Sequence, residues 1–426
     1  MVYQIHFGGQ VDHVDDRGRD RATWRPTETV QAVAYDTLLR SDRRTLHGRV
    51  LRALEAPGPT HAGSSVDDLA HHAACAEAWP EAARYAMAAG EQASRRSALT
   101  EAKLHLKAAI AALGRQPPTP ATIAQGIDAR LSLRGVLASL TDTAGQDAVM
   151  QTILAEADHL AAQTGDRLVT ARVYVGRSVM LSHWGDLPGA MKLSRSALTD
   201  LRAAGDALGT VGAAFSLAQA HWYAGDLDSA QAVLADNIGH ARSPVGQQRS
   251  SATFVLPAVA FFCYLGRIQA ELGHLQDGLA AIAEARSLAL AAGQAFDEAL
   301  VDLNEGAAWM AAGDTDRAVE VLERALGIAR LHVIEWHLPS VACLLGAGWI
   351  DQGRTTEARE LLQEASAYAD RNRHVAKRLL CSPPVRGVQR IGDSEVPDVI
   401  DGAAHAIEQC VERHPGAVCR EERNSA

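Results

Sequence analysis

The stretch Tyr223-Ala-Gly-Asp-Leu-Asp-Ser-Ala230 recurs along the chain at a fixed distance, and that recurrence decides the fold. Upstream, Gly225 has counterparts at Gly185 (Trp184-Gly-Asp-Leu-Pro-Gly-Ala190) and Gly145 (Ala144-Gly-Gln-Asp147). Downstream stand Gly273 (Leu272-Gly-His-Leu275), Gly313 (Ala312-Gly-Asp-Thr-Asp-Arg-Ala318) and Gly353 (Gln352-Gly-Arg-Thr-Thr-Glu-Ala358). The intervals are 40, 40, 48, 40 and 40 residues. A period of this size is the mark of a protein built from stacked repeats.

The positions around each glycine agree. Seven residues before it stand Ala138, Ser178, Ala218, Gly266, Gly306 and Gly346, all small. Five residues after it stand Met150, Ala190, Ala230, Gly278, Ala318 and Ala358. Nine after it come Leu154, Ser194, Leu234, Ile282, Leu322 and Leu362, and twelve after it Ala157, Ala197, Asn237, Ala285, Ala325 and Ala365. These offsets predict two antiparallel helices joined at the glycine. Small residues let the helix backbones approach, and the aliphatic fills the space between them. The glycine is free to take the left-handed conformation that ends a helix, and the Asp that follows it can cap the next one.

The small–aromatic–Gly-Asp–Ala–Ala skeleton resembles the tetratricopeptide repeat in its longer form. Trp309 and Trp349, four residues before Gly313 and Gly353, stand where that family has an aromatic, while Leu181, His221 and Gln269 depart from it. The resemblance covers roughly residues 121–370 and implies an all-α, right-handed α-solenoid of antiparallel helix pairs. Such repeats serve as scaffolds for many partners, so the resemblance speaks to fold more than to function.

Composition sets the outer bounds. Aromatics make up 5% of the 426 residues, so the core must be built from Ala, Leu and Val on closely packed helices. A net charge of −10 argues against a nucleic-acid surface, which is normally basic. The six cysteines are scattered with no CxxC pair, as expected of reduced thiols in a cytoplasm rather than a disulfide framework. The apolar-leaning run 254–265 is too short to cross a bilayer. These features predict a cytoplasmic protein with no membrane partner.

Outside the array, residues 1–27 show no apolar period and are expected to form a disordered leader. From Thr29, apolar residues recur at intervals of three and four, as in two amphipathic helices, with Ser41-Asp42 placed to cap the second. Within residues 28–56, Gln31, Ala34, Tyr35, Asp36, Leu38, Leu39, Arg43, Arg44, Leu46, His47, Leu54 and Glu55 resemble the winged-helix-like end of the ATPase module in bacterial STAND-type regulators. Irregular helical repeats over 64–115, among them Leu69-Ala-His-His72 and Ala82-Ala-Arg-Tyr85, continue that likeness. In those proteins such modules accompany LuxR-type DNA-binding or nucleotide-cyclase domains. A Pro-rich linker, Gln116-Pro-Pro-Thr-Pro120, precedes the array. The eight extra residues before Gly273 point to a longer loop around 243–251, and 371–426 reads as a disordered tail with one short helix.

A phosphate-binding loop needs glycines followed by Gly-Lys, and no Gly-Lys pair occurs in this sequence. The expectation is therefore a relative without the ATPase core, whose ATPase or output domain would act in trans. No nucleophile–base constellation stands out, no catalytic residue is nominated, and no cofactor is expected. His71 and Cys75 lie four apart on one helical face, a spacing zinc can use. Nothing nearby in sequence completes the set, so packing is the expected role and no metal is assigned. The basic run Arg40, Arg43, Arg44, Arg49 and Arg52 reads as a solvated helix face.

The functional surface then falls to the groove. By tetratricopeptide geometry, residues two, three and six before the turn glycine point into it. They nominate His183, Gln219, Trp222, Tyr223, Arg267 and Glu271, with the two aromatics either open to a ligand beside Arg and Gln or packed against the neighbouring pair. The expected occupant is a protein, a peptide or a small inducer. The expected function is a non-enzymatic interaction or sensing module of a STAND-type transcriptional regulator. The alternatives are the repeat region of a cyclase-linked ATPase, a self-associating scaffold and a gene fragment.

Overall fold

The computed structural model describes residues 35, 37–56, 65–96, 98–140, 146–248, 255–332 and 334–371. The leader, the Pro57-Gly-Pro59 turn, Gly145 and the tail from residue 372 lie outside the described residues. Among those described there are helices and turns and no strand, as the period predicts. The chain divides into two compact units, residues 1–86 and 87–426.

In the first unit, α1 (Arg40–Glu55) packs against α2 (Val66–Cys75), and the opening turns of α3 (Trp79–Arg95) follow. Helix α1 starts at Arg40 with Leu39 as its N-cap and no side-chain cap, so Ser41-Asp42 falls inside the first turn instead of capping it. Ser65 opens α2 with a capping box, accepting from the Asp68 amide while the Asp68 carboxylate accepts from the Ser65 amide. The turn between α2 and α3 places Glu77 at φ 56°, and its carboxylate meets Arg40 at 2.6 Å and Arg44 at 3.2 Å.

In the second unit α4 (Leu99–Leu113) leads into six helix pairs. They are α5 (Pro120–Ser139) with α6 (Gln146–Thr164), α7 (Arg167–Trp184) with α8 (Leu187–Ala203), and α9 (Ala207–Tyr223) with the broken helix α10 (Leu227–Ala235) and α11 (Ile238–Arg242). Then come α12 (Pro257–Glu271) with α13 (Leu275–Ala292), α14 (Ala295–Ala312) with α15 (Thr315–Leu331), and α16 (Leu338–Asp351) with α17 (Thr355–Arg371). Each first helix packs on its own second helix, and the first helices α7, α9, α12, α14 and α16 also pack on one another in sequence. This is an α-solenoid of antiparallel helix pairs.

The turn chemistry follows the sequence pattern. Gly185, Gly225, Gly273, Gly313 and Gly353 all have φ between 76° and 90°, where a side chain would be strained. Asp186, Asp226 and Asp314 then cap the next helix by accepting from the amides of Gly189, Ser229 and Arg317. His274 replaces the aspartate after Gly273, and its helix has no side-chain cap. The junctions between pairs also place Gly165, Gly205 and Gly293 at positive φ, with Asp166 and Asp206 capping after the first two and Gln294 giving no side-chain cap after the third. Thus every 20 residues from Gly165 to Gly225 a glycine and a capping aspartate turn the chain, a half-period that the 40-residue reading passes over.

The small position and the aliphatic position of one repeat face each other. A Cβ on Gly306 would collide with the Leu322 side chain, and one on Gly346 would lie 3.2 Å from Leu362 Cγ. At Gly266 it would meet the Gly278 carbonyl oxygen at 2.5 Å and Ile282 Cγ1 at 2.6 Å. Asn237, which replaces Ala in the third pair, is buried and takes the Arg202 guanidinium at 2.6 Å on its Oδ1 while donating to the Val233 carbonyl. The second helix of that pair breaks there, and the chain turns through 243–248.

Candidate functional site

The carboxyl-terminal ends of α7, α9 and α12 carry the six nominated residues, and the structure joins five of them into two linked groups. On α12, Arg267 donates from Nε to Glu271 Oε1 at 2.8 Å, a pair one helical turn apart. Across the repeat boundary, Trp222 Nε1 donates to the other oxygen of Glu271 at 2.8 Å. The Arg267 guanidinium lies over the Trp222 ring, 4.4 Å from its centroid. Both oxygens of one carboxylate are therefore committed, one within its own helix and one to the preceding repeat.

Gln219 stands one turn before Tyr223 on α9, and its Nε2 donates to the Tyr264 hydroxyl at 3.0 Å. Tyr264 meets the Trp222 ring edge-on at 5.6 Å, and Trp222 lies 5.0 Å from Tyr223. Trp222 is only 3% exposed, so of its two placements the packed one holds, and it is a wall of the site and not its surface. It belongs to the largest apolar cluster, with Phe261, Phe262, Leu265 and Ile268 of the next repeat. Tyr223 is half-buried beside it.

His183, the sixth residue, is buried and reaches a partner that the repeat pattern does not place. Its ring meets Trp336 edge-on at 5.2 Å and Tyr223 at 6.4 Å. Trp336 belongs to a single 3-10 turn, Glu335–His337, between the last two helix pairs. The same turn touches α5, α14, α15 and α16, and His337 is buried with its ring 4.4 Å from that of Phe296. On this unit Gln294 also donates to the Arg95 carbonyl, 199 residues away in the chain. The first helices therefore turn a common inner face on one another, and the 335–337 turn stands within it.

Pro339 is the signal that marks this turn. Helix α14 starts 18 residues before its glycine, as α7 and α9 do, whereas α16 has Pro at its N-terminal turn and starts only at Leu338, 15 residues before Gly353. A proline is welcome in the first turn of a helix and excluded from later ones, so the preceding residues leave the helix and reach inward.

Three oxygens in this region are buried without a hydrogen-bond partner: Ser182 Oγ, beside His183 in the chain, Gln219 Oε1, and Gln269 Oε1 on α12. A buried acceptor left unsatisfied costs about 1–3 kcal/mol. Arg134 on α5 is buried as well, with Nη1 donating to the Gly176 carbonyl on α7 at 3.4 Å. Burial pulls its guanidinium down to about 10, which still leaves it charged at neutral pH.

The remaining sequence candidates are plainly placed. Arg40 and Arg44 engage Glu77, and Arg43 lies 4.8 Å over the Tyr35 ring, so much of the basic run is paired within the first unit. Cys263 is buried with its thiol pushed well above its ordinary value by desolvation, and desolvation takes Cys343 to about 12. Such thiols are not nucleophiles at neutral pH. No helix among the described residues is long and apolar enough to cross a membrane.

No protein-family model matches the sequence, and no curated protein matches it. Among solved structures, the chain is similar to a Rap protein in complex with competence and sporulation factor. The likeness has a TM-score of 0.54 at 13% identity and covers 78% of this chain and 89% of that one. At that identity it speaks for the fold alone, and the fold it supports is the tetratricopeptide-like helical repeat. The apo form of RapI superposes more loosely, with a TM-score of 0.38 at 11% identity over 78% of this chain and 86% of its own.

Proposed function

We propose that the second unit is a non-enzymatic binding module whose inner face takes a protein or peptide segment, or a small inducer. The observation that carries this reading is a pair of buried, unpartnered oxygens, Ser182 Oγ and Gln219 Oε1, beside the His183–Tyr223–Trp336 aromatic group. Aromatic walls with a few unfilled polar positions suit a segment that brings its own donors. The ionisable groups of this face are held in mutual contacts, as Glu271 is by Arg267 and Trp222, which suits a wall better than a catalytic acid or base.

The similar Rap protein was solved with competence and sporulation factor bound, and we extend the idea of a bound factor to this chain. The likeness of residues 30–55 and 69–108 to STAND-type regulators carries the proposal one step further. Occupancy of the inner face would then bias an ATPase or transcriptional output domain acting in trans, in a cytoplasm. Side chains shared across repeat boundaries, as Trp222 and Glu271 are, give such a change a route from one pair to the next.

The test is affinity capture on the full chain against a variant carrying Gln219→Ala, Tyr223→Ala and Arg267→Ala. Unchanged helical circular dichroism must first show that the variant folds. A partner captured by the natural chain and lost in the variant supports the inner-face reading. A partner retained by the variant moves the interface elsewhere. Native mass spectrometry of the purified chain separates a small ligand from a protein one.

A further inference from the structure

The first unit gathers three histidines and a cysteine that the reading above does not use. His71 and Cys75 lie one turn apart on α2, with His71 Nε2 and Cys75 Sγ 3.8 Å from each other. His47 comes from α1, and one ligand atom from each of the three residues lies within 4.8 Å of the others. A tetrahedral ion with N ligands at about 2.0–2.1 Å and a thiolate at about 2.3 Å holds N and S about 3.6 Å apart. The observed spacing is already close to that.

We propose that His47, His71 and Cys75 form a binding site for a divalent transition-metal ion of the zinc class, with one of His72 and Tyr35 orienting His47 and the other giving up its His47 ring nitrogen to the ion. Both ring nitrogens of His47 face a suitable neighbour, the Tyr35 hydroxyl at 2.8 Å and His72 Nδ1 at 2.7 Å. Whichever nitrogen ligates the ion, the other is held by a hydrogen bond, the arrangement that fixes the tautomer of a metal-bound histidine. His47 is buried, Cys75 half-buried and His71 exposed, so the open side of the triad faces solvent, where an ion arrives and water supplies the fourth ligand. Binding replaces the Cys75 S–H proton with the ion, so one proton passes to solvent for each ion taken up.

The packing around the triad favours this reading over a purely steric one. The buried apolar residues described in the first unit are Leu51 and five alanines, Ala70, Ala73, Ala82, Ala83 and Ala86. So small a core holds two short helices weakly, and a metal bridge from α1 to α2 supplies what it lacks. The sequence alone could not complete the set, because His47 stands on a different helix from the His71–Cys75 pair.

The test is a titration of the full chain, stripped with chelator and kept reduced, with Co²⁺ as a coloured probe. One equivalent should bind, with a near-ultraviolet thiolate-to-cobalt band that Zn²⁺ abolishes by displacement. Cys75→Ser should remove that band and weaken binding at least tenfold, and His71→Ala should weaken it comparably. His71 is exposed, so its variant tests the site even if the buried His47→Ala variant fails to fold. Zn²⁺ should also raise the melting temperature of the natural chain and leave that of Cys75→Ser unmoved. Binding no stronger than in a Cys75→Ser, His71→Ala double variant would overturn the proposal. So would a thiolate band that survives Cys75→Ser, since the ion would then sit on another cysteine.

Discussion

Trp222 stands three residues before its turn glycine, and Trp309 and Trp349 stand four before theirs. In the last two repeats an arginine of the same pair covers the aromatic: Arg317 lies 4.7 Å over Trp309, and Arg354 lies 4.5 Å over Trp349, whose Nε1 also donates to Glu323 of the preceding pair at 2.9 Å. Each of those arginines belongs to the second helix of the same pair or the turn before it. In the central repeat the ring is rotated by one helical position, about 100°. It meets Arg267 and Glu271 of the next pair instead. One step of register moves the covering arginine from the ring's own pair to the next pair and leaves a polar, aromatic inner face. Departure from the repeat consensus, more than agreement with it, marks the candidate site.

Substitutions can break or sharpen this contrast. The largest expected effect is Trp222→Ala, which empties a buried site and should cost about 3–5 kcal/mol. Trp309→Ala, at a partly exposed ring, should cost about 1 kcal/mol. Urea denaturation of both variants measures the difference, and equal losses would mean that Trp222 is no more central than the consensus aromatic.

Next come the helix contacts. Gly266→Ala drives a methyl against a backbone carbonyl oxygen at 2.5 Å and should destabilise by about 1–3 kcal/mol. Gly346→Ala meets only the end of Leu362, at 3.2 Å, and should cost well under about 1 kcal/mol. The order of their melting temperatures checks this. The reverse order would show that the central pairs pack more loosely than the last.

A smaller effect of opposite sign is expected at the one glycine junction where histidine replaces the capping aspartate. His274→Asp should stabilise by about 0.5–1 kcal/mol, since it restores a side-chain acceptor for the first turn of α13. The matched loss is Asp314→Ala, at about 1 kcal/mol, where the cap is present. Chemical denaturation of the pair reads both.

The smallest expected effect is on pH dependence. The Ser229 hydrogen bond, chiefly, holds the Asp226 carboxyl below its ordinary value of 3.8. A lowered folded value means that the unfolded chain binds the proton more readily, so the contribution is full above about pH 4 and fades as pH falls through the folded value. Acid unfolding of Asp226→Asn should lack that component, and an unchanged acid profile would remove Asp226 from the account.

The array was legible in the sequence because its spacing follows from backbone physics. A left-handed turn favours glycine, and a close helix crossing excludes side chains, so Gly273, Gly266 and Ile282 declare their roles by type and interval. The site was legible only in part. Offsets brought Gln219, Trp222, Tyr223, Arg267 and Glu271 to one region, but they could not show that Trp222 is buried by the next repeat. Trp336 escaped because it sits outside the period, on a turn displaced by Pro339, and its contact with His183 depends on how successive pairs rotate. The His47 triad escaped for the same reason: two helices bring together residues that no local spacing connects.

The proposed role of the inner face around Tyr223 is to bind a partner. A photo-crosslinking amino acid placed at Tyr223 in the full chain, in its native cells, tests it most directly. The control carries the same probe at Leu290, which is 62% exposed on the second helix of its pair. The account predicts a discrete crosslinked species from position 223 that disappears with His183→Ala and Gln219→Ala, and none from position 290. Equal capture at both positions, or a species from 223 that ignores those two changes, would contradict it.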